Sequence, residues 1–440
     1  MSERDHAGGP GARNVRRIGH LDLPGAGQVF LAGDYAYLGH LPNKANLGTS
    51  VVDVSDPTKP RVVASLGVGD PESHSHKVRV VGDLMAVNVE RNNFGIGRKA
   101  EQLPPMRQRL LGELGRAPSH AELADKLGVK EADIPRLEAA EVHAYANGGF
   151  KLFDASDPTD PREIVHVKTG GIGVHRFDMD GTHAYISTEM DGFIGNILVI
   201  YDIRDPKAPT EVSRWWMPGQ HLAGGEAPTW AGRECRLHHA MREGDHLWAG
   251  VWQAGLRVID ISDIARPRTV GEYNYHPPFP EPSHTFMRVP FPLAGRDIAL
   301  AIDEEDQYYG PEEADARRGR PHAGLWVFDV GELADIRPLA LYQASDASSP
   351  WSQTPGTRFG AHQFQEHIDD TLVYCAWFSG GLRIVDIADP FAPREVGVFM
   401  PEPAEGAKAP QTNDVDTDAR GLVYIVDRVK GFDILEFDRP

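Results

Sequence analysis

The chain has 440 residues, 41% hydrophobic and 25% charged, enough to bury a sizeable core and too apolar for disorder or a fibrous repeat. Its 45 Lys and Arg against 64 Asp and Glu give a net charge of −19, which opposes a nucleic-acid backbone or an anionic membrane surface as the main partner. Two cysteines exclude a disulfide framework, no stretch reaches the roughly 18 apolar residues of a membrane span, and the first twenty residues lack the apolar core of a signal peptide, so the expectation is a soluble, cytoplasmic protein.

From the N-terminus, NVRRIGHLDL (14–23) reads as a lone strand. One plan then recurs along the chain: VVDVSDPTKP (51–60), FKLFDASDPTDP (150–161), LVIYDIRDPKAP (198–209), LRVIDISDIARP (256–267), LWVFDVGELADIRP (325–338) and LRIVDIADPFAP (382–393), echoed by FDILEFDRP (432–440). In each, an apolar run predicts a buried strand, an acid opens a turn through its side chain, and prolines fix the bend before another short strand. A further hairpin stands ahead, as in HAYISTEM (183–190) and DTLVYCAWF (370–378), so each unit has four strands. The equivalent acids Asp53, Asp154, Asp202, Asp260, Asp329, Asp386 and Glu436 are spaced as propeller blades with generous loops. The predicted fold is all-β, a seven-bladed propeller over 14–440, with the N-terminal strand completing the last blade.

These runs resemble the LVIVD-repeat β-propeller family, named for the strand present here as LVIYD, LRVID and LRIVD. The resemblance covers nearly the whole chain except 100–145 and implies the architecture without implying one chemistry.

Between Asp53 and Asp154 the spacing doubles. Residues 101–141 carry apolar positions at Leu110, Leu111, Leu114, Leu123 and Leu127, and Ser119 with Glu122 forms the pattern of a capping box, which together predict a helical insert in blade two. The run LGRAPSHAELADKLGVKEADI resembles a helix-turn-helix of primary sigma factors. Six Lys or Arg against eight Asp or Glu in 101–141 argue against a grip on phosphates, so a lid or a homodimer contact is the expected role.

A histidine opens the first strand of blade after blade: SHSHKVRV (His74, His76), GVHRFDMD (His175), RLHHAMRE (His238, His239), PSHTFMRV (His284) and GAHQFQEH (His362). First strands of a propeller converge on its axis. The polar–apolar alternation that follows favours His76, His175, His239, His284 and His362 as one set, whereas turn length favours His238 over His239. Several neutral imidazoles at one level predict a divalent metal ion, iron or copper foremost, with manganese or zinc as further options. On the same face Glu90, Glu189, Asp303 and His40 are the candidates to orient ligating histidines, act as a base or touch substrate, and Glu304 and Asp427 stand nearby. Trp215, Trp216, Trp230, Trp252, Trp351, Trp377 and Phe378, with Phe94, Phe193, Tyr308 and Tyr309, offer an apolar wall, which predicts a hydrophobic or aromatic small-molecule substrate.

No Walker loop, dinucleotide fingerprint or nucleophile elbow is present in context. In arrangement the histidines resemble the axial metal site of carotenoid-cleavage oxygenases. The leading expectation is a metal-dependent oxidoreductase. A lyase or hydrolase using manganese or zinc as Lewis acid, and a non-catalytic propeller that binds protein, are the alternatives.

Overall fold

A computed structural model describes residues 11–92, 94–141, 145–230, 234–306 and 321–439. The apolar runs form the third strand of successive four-stranded antiparallel groups. The first group is Ala26–Ala32, Tyr35–His40, Leu47–Asp53 and Arg61–Gly67, and the second Val78–Val81, Leu84–Arg91, Gly149–Asp154 and Arg162–Lys168. Next come the groups that begin with Gly170–Met179, His239–Glu243, Ser283–Arg288 and Phe359–Phe364. The last comprises Thr412–Thr417, Leu422–Asp427, Gly431–Phe437 and, from the far end of the chain, Val15–Asp22. Their first strands lie side by side in a closed circuit, each beside the next, with Thr412–Thr417 returning to Ala26–Ala32.

The recurring acid does the work its position suggests. Asp53, Asp154, Asp202, Asp260, Asp329 and Asp386 each accept a hydrogen bond at Oδ1 from the backbone N–H two residues on, at 2.8–3.0 Å. That Asx turn ends the third strand and aims the chain into the fourth. Glu436 departs from the pattern, since it lies inside Gly431–Phe437, facing Arg16 across the ladder. The core sits between neighbouring groups: Leu300, Ile302 and Val327 of one meet Phe364, Val373 and Cys375 of the next. Middle strands are therefore covered on both faces, which is why they read as continuous apolar runs rather than alternating ones.

Between Leu84–Arg91 and Gly149–Asp154 stand α1 (Phe94–Leu114), α2 (His120–Leu127) and α3 (Ile134–Glu141), with a core of their own around Leu103, Leu110, Leu123, Leu127, Ile134 and Leu137. The capping box of Ser119 and Glu122 is formed. Helix α1 starts before residue 101, the expected beginning of the insert, and runs through Pro104 and Pro105; burial of Ala100 and Leu103 ties its first turns to the other helices. Among the described residues no helix is long and apolar enough to cross a membrane.

Val15–Asp22 pairs along its length with Gly431–Phe437, and Val15, Ile18 and Leu21 pack against the last group. Deleting residues 1–22 exposes that face and leaves a sheet edge unpaired. The expected loss is about 3–6 kcal/mol from the apolar burial alone, read as a lower urea midpoint.

Candidate functional site

The strand that opens each group brings its first residues to one end of the axis. Thus His175 lies in Gly170–Met179, His284 in Ser283–Arg288 and His362 in Phe359–Phe364; His238 immediately precedes His239–Glu243, and His74 and His76 precede Val78–Val81. Their rings form a continuous arc. Centroids are 4.7 Å apart for His74 and His76, 5.3 Å for His76 and His175, 4.9 Å for His175 and His238, 4.0 Å for His238 and His284, and 4.4 Å for His284 and His362. Beside the arc opens a cavity of about 260 Å³, lined by His76, His175, His238, His284 and His362 together with charged side chains.

Hydrogen-bond partners assign the tautomers. Nδ1 of His175 is 2.9 and 3.0 Å from the two carboxylate oxygens of Glu90, to which it donates. Nδ1 of His238 donates to the carbonyl of His284 at 2.9 Å. His284 donates from Nδ1 to Oε1 of Gln363 at 3.1 Å, and His362 donates from Nδ1 to the carbonyl of Asn413. Burial first, then neighbouring charges, pushes His238, His284 and His362 well below 6.5, so these rings are neutral and their Nε2 atoms are bare. The consequence is concentrated at one point: Nε2 of His175 and Nε2 of His238 face each other at 3.1 Å. Two lone pairs at that distance repel unless a cation, proton or metal, lies between them. Nε2 of His284 and of His362 likewise turn towards the carboxylate of Glu304, at 3.9 and 3.6 Å. His238, His284 and Glu304 form one group whose ligand atoms all lie within 4.8 Å of one another; His74, His76 and Glu90 form a second.

His76 is oriented oppositely. The amide of Asn88 is fixed by accepting from the Lys77 backbone at 2.8 Å and donating to the Val174 carbonyl at 2.9 Å, so its NH₂ also points at Nδ1 of His76, at 3.2 Å. That makes Nδ1 the acceptor and leaves the ring proton on Nε2.

The structure separates His238 from His239. Consecutive strand residues face opposite ways, and His239 turns from the cavity into a lower tier, where its Nδ1 accepts from Nε of Arg176 at 3.0 Å. The carboxylate of Glu366 is the hub of that tier. It receives Arg79 and Arg176, with Gln28 at 3.3 Å and Gln363 at 3.1 Å, and these cations hold it well below the usual carboxylate range against the upward push of burial. The choice of His239 for the metal set is therefore corrected to His238, which lines the cavity.

Of the other candidates, Glu90 is fully buried behind His175 and His74. His40 lies outside the cavity wall, with Nδ1 on the Pro24 carbonyl at 2.9 Å and Nε2 on Ser50 Oγ at 2.8 Å, and burial lowers it to about 4. Glu189 accepts from the Ile172 backbone at 3.0 Å, away from the cavity. Asp303 is held between sheets by the Tyr275 hydroxyl at 2.5 Å and the Trp326 indole at 2.7 Å. Asp427 caps a turn by accepting from the backbones of Val429 and Lys430.

Glu304 faces the imidazoles instead; burial pushes its carboxyl up, but the guanidiniums of Arg358 and Arg428 hold it at about 2. The aromatic wall is also different. Trp252 is in the wall, whereas Trp215 and Trp377 belong to cores between sheets, and Trp216 and Phe193 pack with His221. Tyr308, Tyr309 and the Phe94 side chain lie outside the described residues. Residues passed over in the sequence are Lys99, Arg236, Asp306, Arg358 and Arg428, all in the wall. A signal existed in Arg236, two residues before His238, and Arg358, four before His362.

The LVIVD-repeat family model matches residues 25–67, 243–275 and 370–400, and none of 101–141. No curated protein matches the chain in sequence. Among solved structures, the RRP9 WD40 repeats superpose with a TM-score of 0.53 at 9% identity, covering 96% of this chain and 97% of that one. The C-terminal WD40 domain of Sif2 gives 0.52 at 10% identity, covering 96% and 98%. Such identities speak for the fold alone. With the strand groups and the family match, they make this chain a β-propeller carrying LVIVD repeats.

Proposed function

We propose that the chain is a metal-dependent enzyme, a seven-bladed propeller whose axial cavity holds a divalent metal between Nε2 of His175, His238, His284 and His362, and that it acts on a small molecule as an oxidoreductase. The observation that carries this is the approach of Nε2 of His175 to Nε2 of His238 at 3.1 Å, with His238 and His284 grouped around Glu304 as candidate ligands. Nitrogens bound to one metal at about 2.0–2.1 Å stand about 2.9–3.4 Å apart when they occupy adjacent positions. Each of the four rings gives its other N–H to a carboxylate, a carbonyl or an amide oxygen, the arrangement that orients ligating histidines.

Imidazole donors favour iron or copper, which would supply electron transfer or dioxygen chemistry to a substrate in the cavity. Glu90 fixes the ring of His175, and Glu304 reaches towards His284 and His362, able to bind the ion or take a proton. His76 presents Nε2–H as a hydrogen-bond donor. Helix α1 covers the mouth as a lid: Lys99 reaches Glu234 at 2.8 Å, and Arg109 donates to the Pro228 carbonyl at 3.0 Å.

Elemental analysis of protein carrying no histidine tag is expected to find near one equivalent of iron or copper. His238→Ala and His284→Ala are each expected to lose the metal at least about tenfold with the fold kept, as removal of one ligand weakens a site by this order or more. His239→Ala is expected to retain it. Manganese or zinc would move the chemistry to Lewis-acid catalysis, and no metal after reconstitution would leave a binding propeller.

The pH dependence follows from the lowered imidazoles. Because the folded-state values of His238, His284 and His362 lie well below 6.5, protons compete for these nitrogens only at lower pH. Dialysis followed by metal analysis is expected to show release only at a pH well below the ordinary histidine value of about 6.5. A release midpoint near the ordinary histidine value counts against these ligands.

A further inference from the structure

Behind the axial site, a buried carboxylate is met by two oxidisable rings. Asp303 ends the strand Ile298–Asp303 and is buried. Its Oδ1 accepts from the Tyr275 hydroxyl at 2.5 Å and its Oδ2 from the Trp326 indole N–H at 2.7 Å, so both oxygens act as acceptors, as in an ionised carboxylate. Ser283 Oγ donates to the phenol oxygen of Tyr275 at 2.6 Å, which turns the phenol proton to Asp303. Three other tyrosines meet a carboxylate, and each shares it with an arginine: Tyr185 with Asp180 and Arg242, Tyr424 with Asp418 and Arg420, Tyr342 with Glu395 and Arg383. The side-chain donors to Asp303 are neutral instead, and a buried carboxylate held by neutral donors is a strong proton acceptor.

The two donors also touch each other. The rings of Tyr275 and Trp326 stack with centroids 4.6 Å apart, in a core completed by Phe286 and Phe328. Outward, the half-buried ring of Tyr273 stands 6.3 Å from that of Tyr275. Inward, Ser283 directly precedes His284, so the phenol is one hydrogen bond and a short run of covalent bonds from a ring of the axial site. Charge decides which rings near the axis can lose an electron. Trp252, in the cavity wall, carries the Arg236 guanidinium at 4.0 Å, and that cation opposes a positive charge on the indole. The indole N–H groups of Trp248 and Trp377 meet no acceptor among the described residues. Tyr275 has a carboxylate in line with its proton.

We infer that Tyr275 is a redox-active residue that supplies an electron to the axial site and gives its phenol proton to Asp303 as it does so. The electron goes to a one-electron metal oxidant, the class of ion proposed for the axis. The phenol O–H bond breaks, the proton bonds to Oδ1 of Asp303, and the products are a neutral tyrosyl radical, a carboxylic acid and the reduced oxidant. A soluble one-electron reductant such as ascorbate restores the phenol by way of Tyr273, the proton returning from Asp303. Trp326 occupies the second carboxylate oxygen and leaves Oδ1 to Tyr275. The link to the axis rests on the oxidoreductase reading above; the oxidation of Tyr275 against Asp303 does not.

The test oxidises the full-length protein with photogenerated tris(bipyridine)ruthenium(III), both as purified and after chelator treatment, with iron and copper measured in parallel. Freeze-quench electron paramagnetic resonance follows the radical, and ring-deuterated tyrosine identifies it. A tyrosyl signal is expected in both preparations and is expected to fall at least about tenfold in Tyr275→Phe. Asp303→Asn removes the proton acceptor and is expected to slow formation of the signal at least about tenfold. Because both variants disturb buried hydrogen bonds and risk misfolding, Tyr273→Phe, at a half-buried ring, provides the second arm, with decay of the signal in ascorbate expected to slow about threefold or more. No tyrosyl signal, a signal unchanged in folded Tyr275→Phe, or a rate unchanged in folded Asp303→Asn overturns the inference. If neither buried variant folds, unchanged decay in Tyr273→Phe overturns it. A tyrosyl signal with these dependences in protein that never takes up iron or copper would sink the oxidoreductase reading and leave the oxidation of Tyr275 standing.

Discussion

What the rest of the molecule depends on is the crowding of polar side chains at an axis from which water is largely excluded. A closed circuit of inner strands brings the same register position of every group to one level, so whatever residue type the repeat carries there is multiplied. An imidazole in one blade is a local matter of one carbonyl; five or six in contact become a collective problem, because each ring has a second nitrogen that must also find a partner. The upper tier meets it by giving every Nδ1 proton of His175, His238, His284 and His362 outward to the surrounding scaffold. Nε2 of His175 then meets Nε2 of His238, and those of His284 and His362 turn towards Glu304.

The lower tier answers the same crowding with charge. Arg79 and Arg176 meet Glu366, Arg79 also reaches Asp178 at 2.7 Å, and burial pushes Asp414 and Asp416 nearby up to about 7. Buried lattices of this kind contribute little net stability against apolar packing. The apolar cores between sheets carry the fold, and the polar axis is free to be chosen for other reasons. His239 belongs to this tier, where its Nε2 has no hydrogen-bond partner among the described residues. Two adjacent histidines thus serve different tiers.

The difference between His238 and His239 also marks what can be read from a sequence. The recurring strand, its Asx turn and its prolines are local, so their period exposes the architecture, and the Ser119–Glu122 cap likewise rests on residues three apart. A histidine at each strand start is legible for the same reason. Which of two neighbours points inward depends on where the β-ladder begins: His239 pairs with Gly250 as the first residue of its strand, and His238 meets the same glycine through its backbone N–H at 2.9 Å. Period alone does not resolve a shift of one. Glu304 is less visible still, for in AIDEED four acids compete; Asp303 is claimed by Tyr275 and Trp326, and Glu304 meets His284 of its own group and His362 of the next.

The aromatic residues carry the last step. Read as composition, the tryptophans and phenylalanines near the functional face suggest an oily wall. In place, Trp252 has the His238 ring at 5.3 Å and the Arg236 guanidinium at 4.0 Å, and Phe378 has the His362 ring at 4.8 Å and the Arg358 guanidinium at 4.0 Å. Their contribution is therefore positional: a ring in a strained turn sets the height and tilt of a charged group beside a neutral donor.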